Sequence, residues 1–576
     1  MRKALIISLI GFVVVAVTLV SQRRPADPVI PTSHDPAKAN GFPEKPVDPV
    51  QLSTAIPVAL PEKETEAIPR YGNSASVTTI TESFDTARGR EESVADSEMG
   101  GEGAFMAIGA GGGQRWNESA PPGSGEGYAT FQDNPFIRLS QPGGDASTFA
   151  IDVDTASYSN VRRFLTVNHR LPPKDAVRIE ELINYLPYSY APPATEDPHP
   201  FRFHTAVAAC PWQPTHLLLR VAIQGKIITK SQRPPANLVF LVDTSGSMNR
   251  SEKLPLVQKS LTLLAAQLDE RDTISIVTYA GMAGLALAPT PGNHHDVITT
   301  AISRLNAGGS TNGAGGITRA YEQAAINCRD GTVSRVILCT DGDFNVGVTS
   351  REALTALITT QAKTGVFLNV YGFGMGNLQD HTLEALADHG NGVYAYIDGE
   401  REAHKVVVDD LLGQLVTIAK DVKIQLFFNP AALAGWRQIG YENRALRRED
   451  FNNDTVDAGD IGAGHTVTAL YELIPAGQSV PGGSDPNPFT AAPRDDAPHD
   501  PATALRLRLR YKLPEGTTSS LLEHDVLIAA TPMDADFQCA AAVATPRIPL
   551  RRDHHLGLGR GLGRSQPRCR SPGPAG

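Results

Sequence analysis

Cysteine is scarce, with five in 576 residues and no Cys-x-x-Cys pair. That excludes a disulfide scaffold and argues against a structural zinc site. A surplus of positive charge is also missing. Lys and Arg total 52 against 62 Asp and Glu, a formal net charge of -10. This argues against nucleic acid as a partner, because phosphate counterions are displaced by protein cations. The glycine runs at 100–103 and 109–113 have no Gly-Lys-Ser/Thr after them, so they form no phosphate loop. No Gly-x-Ser-x-Gly elbow is present, since Thr244-Ser245-Gly246-Ser247-Met248 departs from that frame. What remains is the composition of a globular protein with non-globular length attached, long enough for about four domains.

Arg2 and Lys3 precede an apolar run from Ala4 to Val20. A basic start before an apolar stretch is an export pattern, and the run approaches the ~18–20 residues of a spanning helix. No small-x-small cleavage site and no Cys follow it. Residues 1–22 are therefore read as a signal anchor or signal peptide, placing the chain at the cell envelope with a membrane contact through this segment. From 23 to 146 no apolar period is sustained, proline recurs from Pro25 to Pro69, and glycine runs follow. Such a stretch buries too little apolar surface to offset chain entropy and reads as a disordered linker.

Order is expected from Ser147. Thr148 to Ile151 reads as a strand and Val177 to Leu186 as a helix, giving an α+β segment over 147–235. From Asn237 strands and helices alternate. Leu238 to Val242 is wholly apolar, the mark of a strand covered on both faces. Lys253 to Leu268 is an amphipathic helix with Pro255 in its first turn, and Glu400 to Ala419 reads as the last helix. Alternation of this kind predicts an α/β fold with a doubly wound, mostly parallel sheet over 236–420. Beyond it Leu505 to Leu513 alternates apolar residues with Arg506, Arg508, Arg510 and Lys512, so 421–544 reads as β-rich. That cationic face is expected to be solvated. Residues 545–576 read as a basic, disordered tail.

The chemistry concentrates in three loops, two at strand ends and one just before a helix. Asp243-Thr244-Ser245-Gly246-Ser247 closes the buried strand. Gly308 to Gly313 carries Ser310, Thr311 and Asn312. Thr340-Asp341-Gly342 closes a third strand. Loops at the carboxyl ends of an open α/β sheet are where ligands bind. These loops offer oxygen only, which suits a hard cation such as Mg2+. Asp243-x-Ser245-x-Ser247 with Thr311 and Asp341 resembles the metal-ion-dependent adhesion site of von Willebrand factor type A domains. The flanks resemble a bacterial subfamily with an N-terminal accessory domain, through Asp152 to Tyr158 and Asp175 to Glu181, and a C-terminal domain, through Ile439 to Arg444 and Gly462 to Val467. The resemblance covers about Ser147 to Ala544. It implies that Asp243, Ser245, Ser247, Thr311 and Asp341 hold Mg2+, with Mn2+ or Ca2+ as alternatives, and that the metal takes an Asp or Glu from a protein partner. It implies binding or assembly and no catalysis. The competing expectations are a structural envelope protein with a silent site and a metal-dependent phosphate-ester hydrolase, although no His falls in the three loops.

Weaker patterns carry plainer expectations. Asp152-Val153-Asp154 is similar to the nucleophile loop of haloacid-dehalogenase phosphatases, but Ala156 stands where that pattern has Thr or Val. A capped turn is the expectation there. Asp454, Asp457 and Asp460 lack the frame of a calcium hand and read as a solvated turn.

Overall fold

The computed structural model describes residues 125–342, 350–481 and 502–545. The expected N-terminal apolar segment and the tail from 546 lie outside these residues, as does the linker up to 124. No helix among the described residues is long and apolar enough to cross a membrane.

The chain begins with strands β1 (Ile137–Arg138) and β2 (Ala146–Ala150), helices α1 (Ala156–Thr166) and α2 (Ile179–Asn184), and strands β3 (Phe201–Ala209) and β4 (Leu217–Gly225). The central part runs β5 (Ala236–Asp243), α3 (Leu254–Ala265), β6 (Thr273–Tyr279), β7 (Ala283–Pro291), α4 (His295–Ser303) and α5 (Gly313–Ile326). It continues β8 (Val333–Thr340), α6 (Arg351–Ala362), β9 (Val366–Phe373), α7 (Asp380–His389), β10 (Tyr394–Ile397), α8 (Glu400–His404) and α9 (Leu411–Leu415). Then come β11 (Thr417–Phe428), β12 (Leu433–Ile439), β13 (Gly459–Gly462), β14 (Thr466–Pro475), β15 (Thr503–Lys512), β16 (Ser519–Leu527) and α10 (Ala535–Ala544).

The central part forms a six-stranded sheet in the order β10-β9-β8-β5-β6-β7. All neighbours in it are parallel except the edge pair β6 and β7. All of β5 is buried, because each face of the strand has its own cover. Leu238, Phe240 and Val242 pack with Val257, Leu261 and Leu264 of α3. Val239 and Leu241 pack with Ile317, Ala320 and Ala324 of α5 on the other side. Each such side chain contributes about 1.5–3 kcal/mol on burial. This is the doubly wound α/β fold expected from the alternation. Strand β7 escapes a sequence reading because its small residues and two prolines show no clear period, and its pairing with β6 slips register twice.

The segments expected as separate flanking domains, 147–235 and 421–544, share sheets. Strand β2 pairs antiparallel with β11, and β4 with β14. The two sheets are β1-β12-β14-β4-β3 and β13-β11-β15-β16, with β2 also on β11. Phe149, Val221 and Ile223 from the first segment meet Ile424, Leu426, Tyr471 and Leu507 from the second in one core. The α/β unit is thus inserted into a β-sandwich. A period of two reveals a half-buried strand but does not name its partner.

Two further boundaries move. Residues 125–146, expected within the linker, are ordered. Gly127 N bonds Leu378 O at 2.9 Å, and Ile137 pairs with Trp436. Glu126 is 3 % exposed and accepts two bonds from Arg163, at 2.6 and 3.0 Å. An extended strap held by isolated anchors leaves no period to detect. The helix expected over Glu400 to Ala419 ends at Leu415, after a wide turn at Lys405–Asp409. Leu411, Leu415 and Ile418 keep helical spacing, yet the first two pack in the α/β core and Ile418 in the sandwich core.

Charged side chains fill the seam between the two parts. Arg178, 2 % exposed, pairs with Glu181 of α2 and, through Nη1, with Asp380 at 2.5 Å and Glu384 at 3.6 Å on α7. Arg444 reaches Asp388 at 2.8 Å, Asp152 at 3.4 Å, Glu384 at 3.6 Å and Asp154 at 3.7 Å. Burial pushes the carboxyl of Glu181 up to about 8 and that of Glu384 up to about 7, against the pull of Arg178 on both.

Candidate metal centre

The parallel register of β5 with β8 sets Val242 beside Cys339, so both strands end at the same edge of the sheet. Asp243 and Asp341 leave that edge together. Thr340, between the two loops, donates its hydroxyl to Asp243 Oδ2 at 3.0 Å. Tyr279, at the end of β6, donates to the same oxygen at 3.3 Å. The backbone N–H of Ser245 donates to Asp243 Oδ1 at 2.9 Å, which folds the Asp243–Ser247 loop back on itself. Ser245 Oγ and Ser247 Oγ then lie 3.0 Å apart. Met248 is fully buried in the α/β core and pins the far end of this loop.

The Thr311 loop is joined to the first loop by backbone bonds. Gly308 N donates to Thr244 O at 2.7 Å, and Gly246 N donates to Gly309 O at 2.9 Å. Asn312 N donates to Ala280 O at 2.8 Å, and the Asn312 side chain caps α5 through Gly315 N. Gly316 on α5 lies so close to Tyr279 that a Cβ there would sit 2.7 Å from the Tyr279 Cβ. The helix start is therefore drawn against the strand that supplies Tyr279. All five residues expected from the sequence are brought to one sheet edge. Asp243 and Asp341 are fully buried, Ser245 and Thr311 nearly so, and Ser247 is half-buried.

The donor chemistry fits a hard cation, with two carboxylates, three hydroxyls and no sulfur or imidazole. The electrostatics fit as well. Burial raises the Asp243 carboxyl to about 6, opposed by the hydrogen bonds from Ser245 and Thr340 and reinforced by the charge on Asp341. A buried carboxylate pushed up by a second one favours a countercharge beside Asp243. When bound, a divalent cation supplies Lewis acidity and an attachment point for an anionic ligand. The chain's own residues set the loop geometry, exclude water from Asp243 and donate hydrogen bonds to its carboxylate.

Sequence reasoning placed Thr340 in a site loop without giving it a role, and missed Lys253, Tyr279 and Asn377. Lys253, read as the start of an amphipathic helix, turns inward. Its Nζ donates to Asp341 Oδ2 at 2.8 Å. The signal available was a lone Lys just before an apolar helix, which gives no hint of direction.

The weaker patterns resolve into structure. Asp154 N donates to Asp152 Oδ1 at 3.0 Å, the capped turn expected. Asp154 Oδ1 accepts from Tyr394 N at 2.8 Å, so this acid ties β10 to the cluster around Arg444. Asp454 accepts from Ser519 at 2.7 Å, while Asp460 accepts from Asp421 N at 3.2 Å. No group of three or more His, Cys, Asp or Glu that could hold a metal occurs among the described residues. Arg506 pairs with Asp525 at 2.7 Å, Arg508 with Glu523 at 2.9 Å, and Lys512 with Asp421 at 2.6 Å. The cationic face is therefore matched by carboxylates.

Comparison with known proteins places this geometry. Residues 237–409 match the model of the von Willebrand factor type A domain, and residues 122–220 match a model described as von Willebrand factor. Residues 413–558 match one described as "Uncharacterized protein YfbK, C-terminal". YfbK of Escherichia coli (strain K12) is 43% identical over 445 residues, 76% of each chain. The chain belongs to the YfbK family of von Willebrand factor type A proteins. A second relative of this YfbK-family chain, sll0103 of Synechocystis sp. (strain ATCC 27184 / PCC 6803 / Kazusa), is 31% identical over 185 residues, 32% of this chain and 43% of its own. A solved von Willebrand factor type A protein from Catenulispora acidiphila is 15% identical, covers 58% of this chain and 75% of its own, and has a TM-score of 0.36. The model match that begins at residue 122 agrees with a folded region starting ahead of Ser147. Domains of this type are mostly interaction modules rather than enzymes, and the central unit fits a protein-interaction module.

Proposed function

We propose that this YfbK-family chain binds a protein partner at the cell envelope through a divalent cation held by Asp243, Ser245, Ser247, Thr311 and Asp341. Mg2+ is the expected ion, with Mn2+ or Ca2+ as substitutes, and the partner's Asp or Glu is the expected further ligand. The observation that carries the reading is the convergence of three oxygen-bearing loops on one sheet edge, the first two joined by the bonds between Thr244, Gly246, Gly308 and Gly309 and the third tied to the first by the bond from Thr340 to Asp243. The envelope location rests on the basic, apolar start from Arg2 to Val20.

The test is titration of Mn2+ into the full chain beside its Asp243→Ala variant. Saturable binding lost in the variant, with the circular dichroism spectrum unchanged, supports the proposal. Equal binding by both proteins sinks it. A structural protein with a silent site is the second reading. It is favoured by one observation, the Lys253 ammonium already paired with Asp341. Absence of Mn2+ binding in both proteins would select it.

A further inference from the structure

Lys253 is held at this centre by a dedicated set of contacts. It is 2 % exposed. Its Nζ donates to Asp341 Oδ2 and to Asn377 Oδ1, both at 2.8 Å. Asn377 Nδ2 donates in turn to Asp341 Oδ2 at 3.0 Å. The stem of the lysine crosses Gly374, where φ is +78° and a Cβ would sit 2.4 Å from Lys253 Cε. Only glycine accepts both that backbone conformation and that contact. A buried ammonium is costly unless paired, and here it is paired with one of the two carboxylates expected to take a metal.

The charges have a consequence. Asp243 and Asp341 supply two negative charges, which a divalent cation alone would cancel. Lys253 adds one positive charge beside Asp341, so the loaded centre carries a net positive charge. Like charges a few ångström apart inside a protein repel strongly, and opposite charges arriving from outside are drawn in. We infer that Lys253 sets the balance of this centre, weakening its hold on the divalent cation and strengthening the loaded centre's attraction for an incoming carboxylate. This role rests on the metal-binding reading given above. Lys253 acts as a positioning and charge-setting residue, since it reaches the cation through Asp341.

The experiment measures Mn2+ affinity of the full chain by electron paramagnetic resonance of the free ion, and acetate association with the Mn2+-loaded protein by water proton relaxation. The proteins are wild type, Lys253→Met, Lys253→Arg and Asp243→Ala. Lys253→Met should bind Mn2+ more tightly, by about 10–100-fold, the range over which neighbours of metal ligands act, and acetate more weakly. Lys253→Arg, which keeps the charge, should stay near wild type. If Lys253→Met binds Mn2+ no more tightly than wild type while Asp243→Ala abolishes binding, the role of Lys253 is overturned and the metal centre stands. If none of the proteins binds Mn2+, both readings fall. If Lys253→Met binds and wild type does not, the weakening of the metal site by the lysine is upheld, while its effect on an incoming carboxylate falls with the metal-binding reading. Should Lys253→Met fail to fold, Lys253→Gln removes the charge while keeping a donor that can bond Asp341. The same tightening is expected there, and unchanged affinity would overturn the inference.

Discussion

Replacing Glu384 by Gln should stabilise this protein, although Glu384 contributes to a buried ion network. The carboxyl lies between Arg178, at 3.6 Å, and Arg444, also at 3.6 Å, with Asp380 and Asp388 close enough to raise it. Burial outweighs the two cations, and its folded value stands at about 7 against an ordinary 4.5. Ionisation is therefore easier in the unfolded chain than in the native one. Stability is lost as pH rises from about 4.5 to about 7 and stays lost above it. The gap of about 2.5 pH units corresponds to about 3 kcal/mol. Gln keeps the acceptor that bonds Asn443 Nδ2 at 2.8 Å and removes the ionisation. Its amide nitrogen faces Arg178, which costs about 1 kcal/mol. The expected net gain is about 2 kcal/mol at pH 8, falling to a small loss at pH 5. Urea unfolding at the two pH values measures it. A variant less stable than wild type at pH 8, or a difference that ignores pH, would refute the reasoning.

Other outcomes follow from the same geometry. Gly374→Ala should cost about 1–3 kcal/mol, since φ there is +78° and such strain carries that penalty. It should also displace Lys253 and tighten Mn2+ binding, both readable on one sample by thermal melting and titration. Glu126→Ala leaves Arg163, with a side chain 2% exposed, without its bidentate partner, a loss of about 3 kcal/mol. If the strap opens locally, proteolytic cleavage near residue 125 should speed up by roughly 100-fold. Unchanged cleavage would show that the anchor lies elsewhere. Arg178→Met removes the cation paired with Asp380 and should cost about 3–5 kcal/mol near neutral pH, measured as a lower urea midpoint.

The α/β unit was legible because its signals are local. The unbroken run Leu238 to Val242 states that two layers cover it, and loop chemistry at strand ends states where a ligand would meet it. The same logic brought the three loops together, and the resemblance to the von Willebrand factor type A adhesion site picked out Asp243, Ser245, Ser247, Thr311 and Asp341 within them. Lys253 was hidden because a lysine before an amphipathic helix points outward far more often than inward. What turns it is Gly374, over a hundred positions later, and a glycine does not announce which side chain it makes room for. The sandwich was half legible. Leu505 to Leu513 displayed its alternation, but the pairing of β2 with β11 and of β4 with β14 depends on chain that comes together only after the α/β unit has been traversed. The strap around Glu126 gave no signal, because single anchors such as Tyr128 and Ile137 have no period.

The shared sheets bear on how the chain is made. Ser147 Oγ bonds Tyr471 Oη across 324 positions of sequence, so the sandwich core has one wall long before it has the other. At about 5–20 residues per second, that wall waits roughly 15–65 s for its complement. The α/β unit is complete by Leu415 and holds contacts closer in sequence, which favours earlier folding. During synthesis, the central unit can close while β2, β3 and β4 still present unpaired edges and apolar faces. A chaperone that covers exposed strands should therefore engage the segment before residue 236, and release it only once β14 and β15 have emerged.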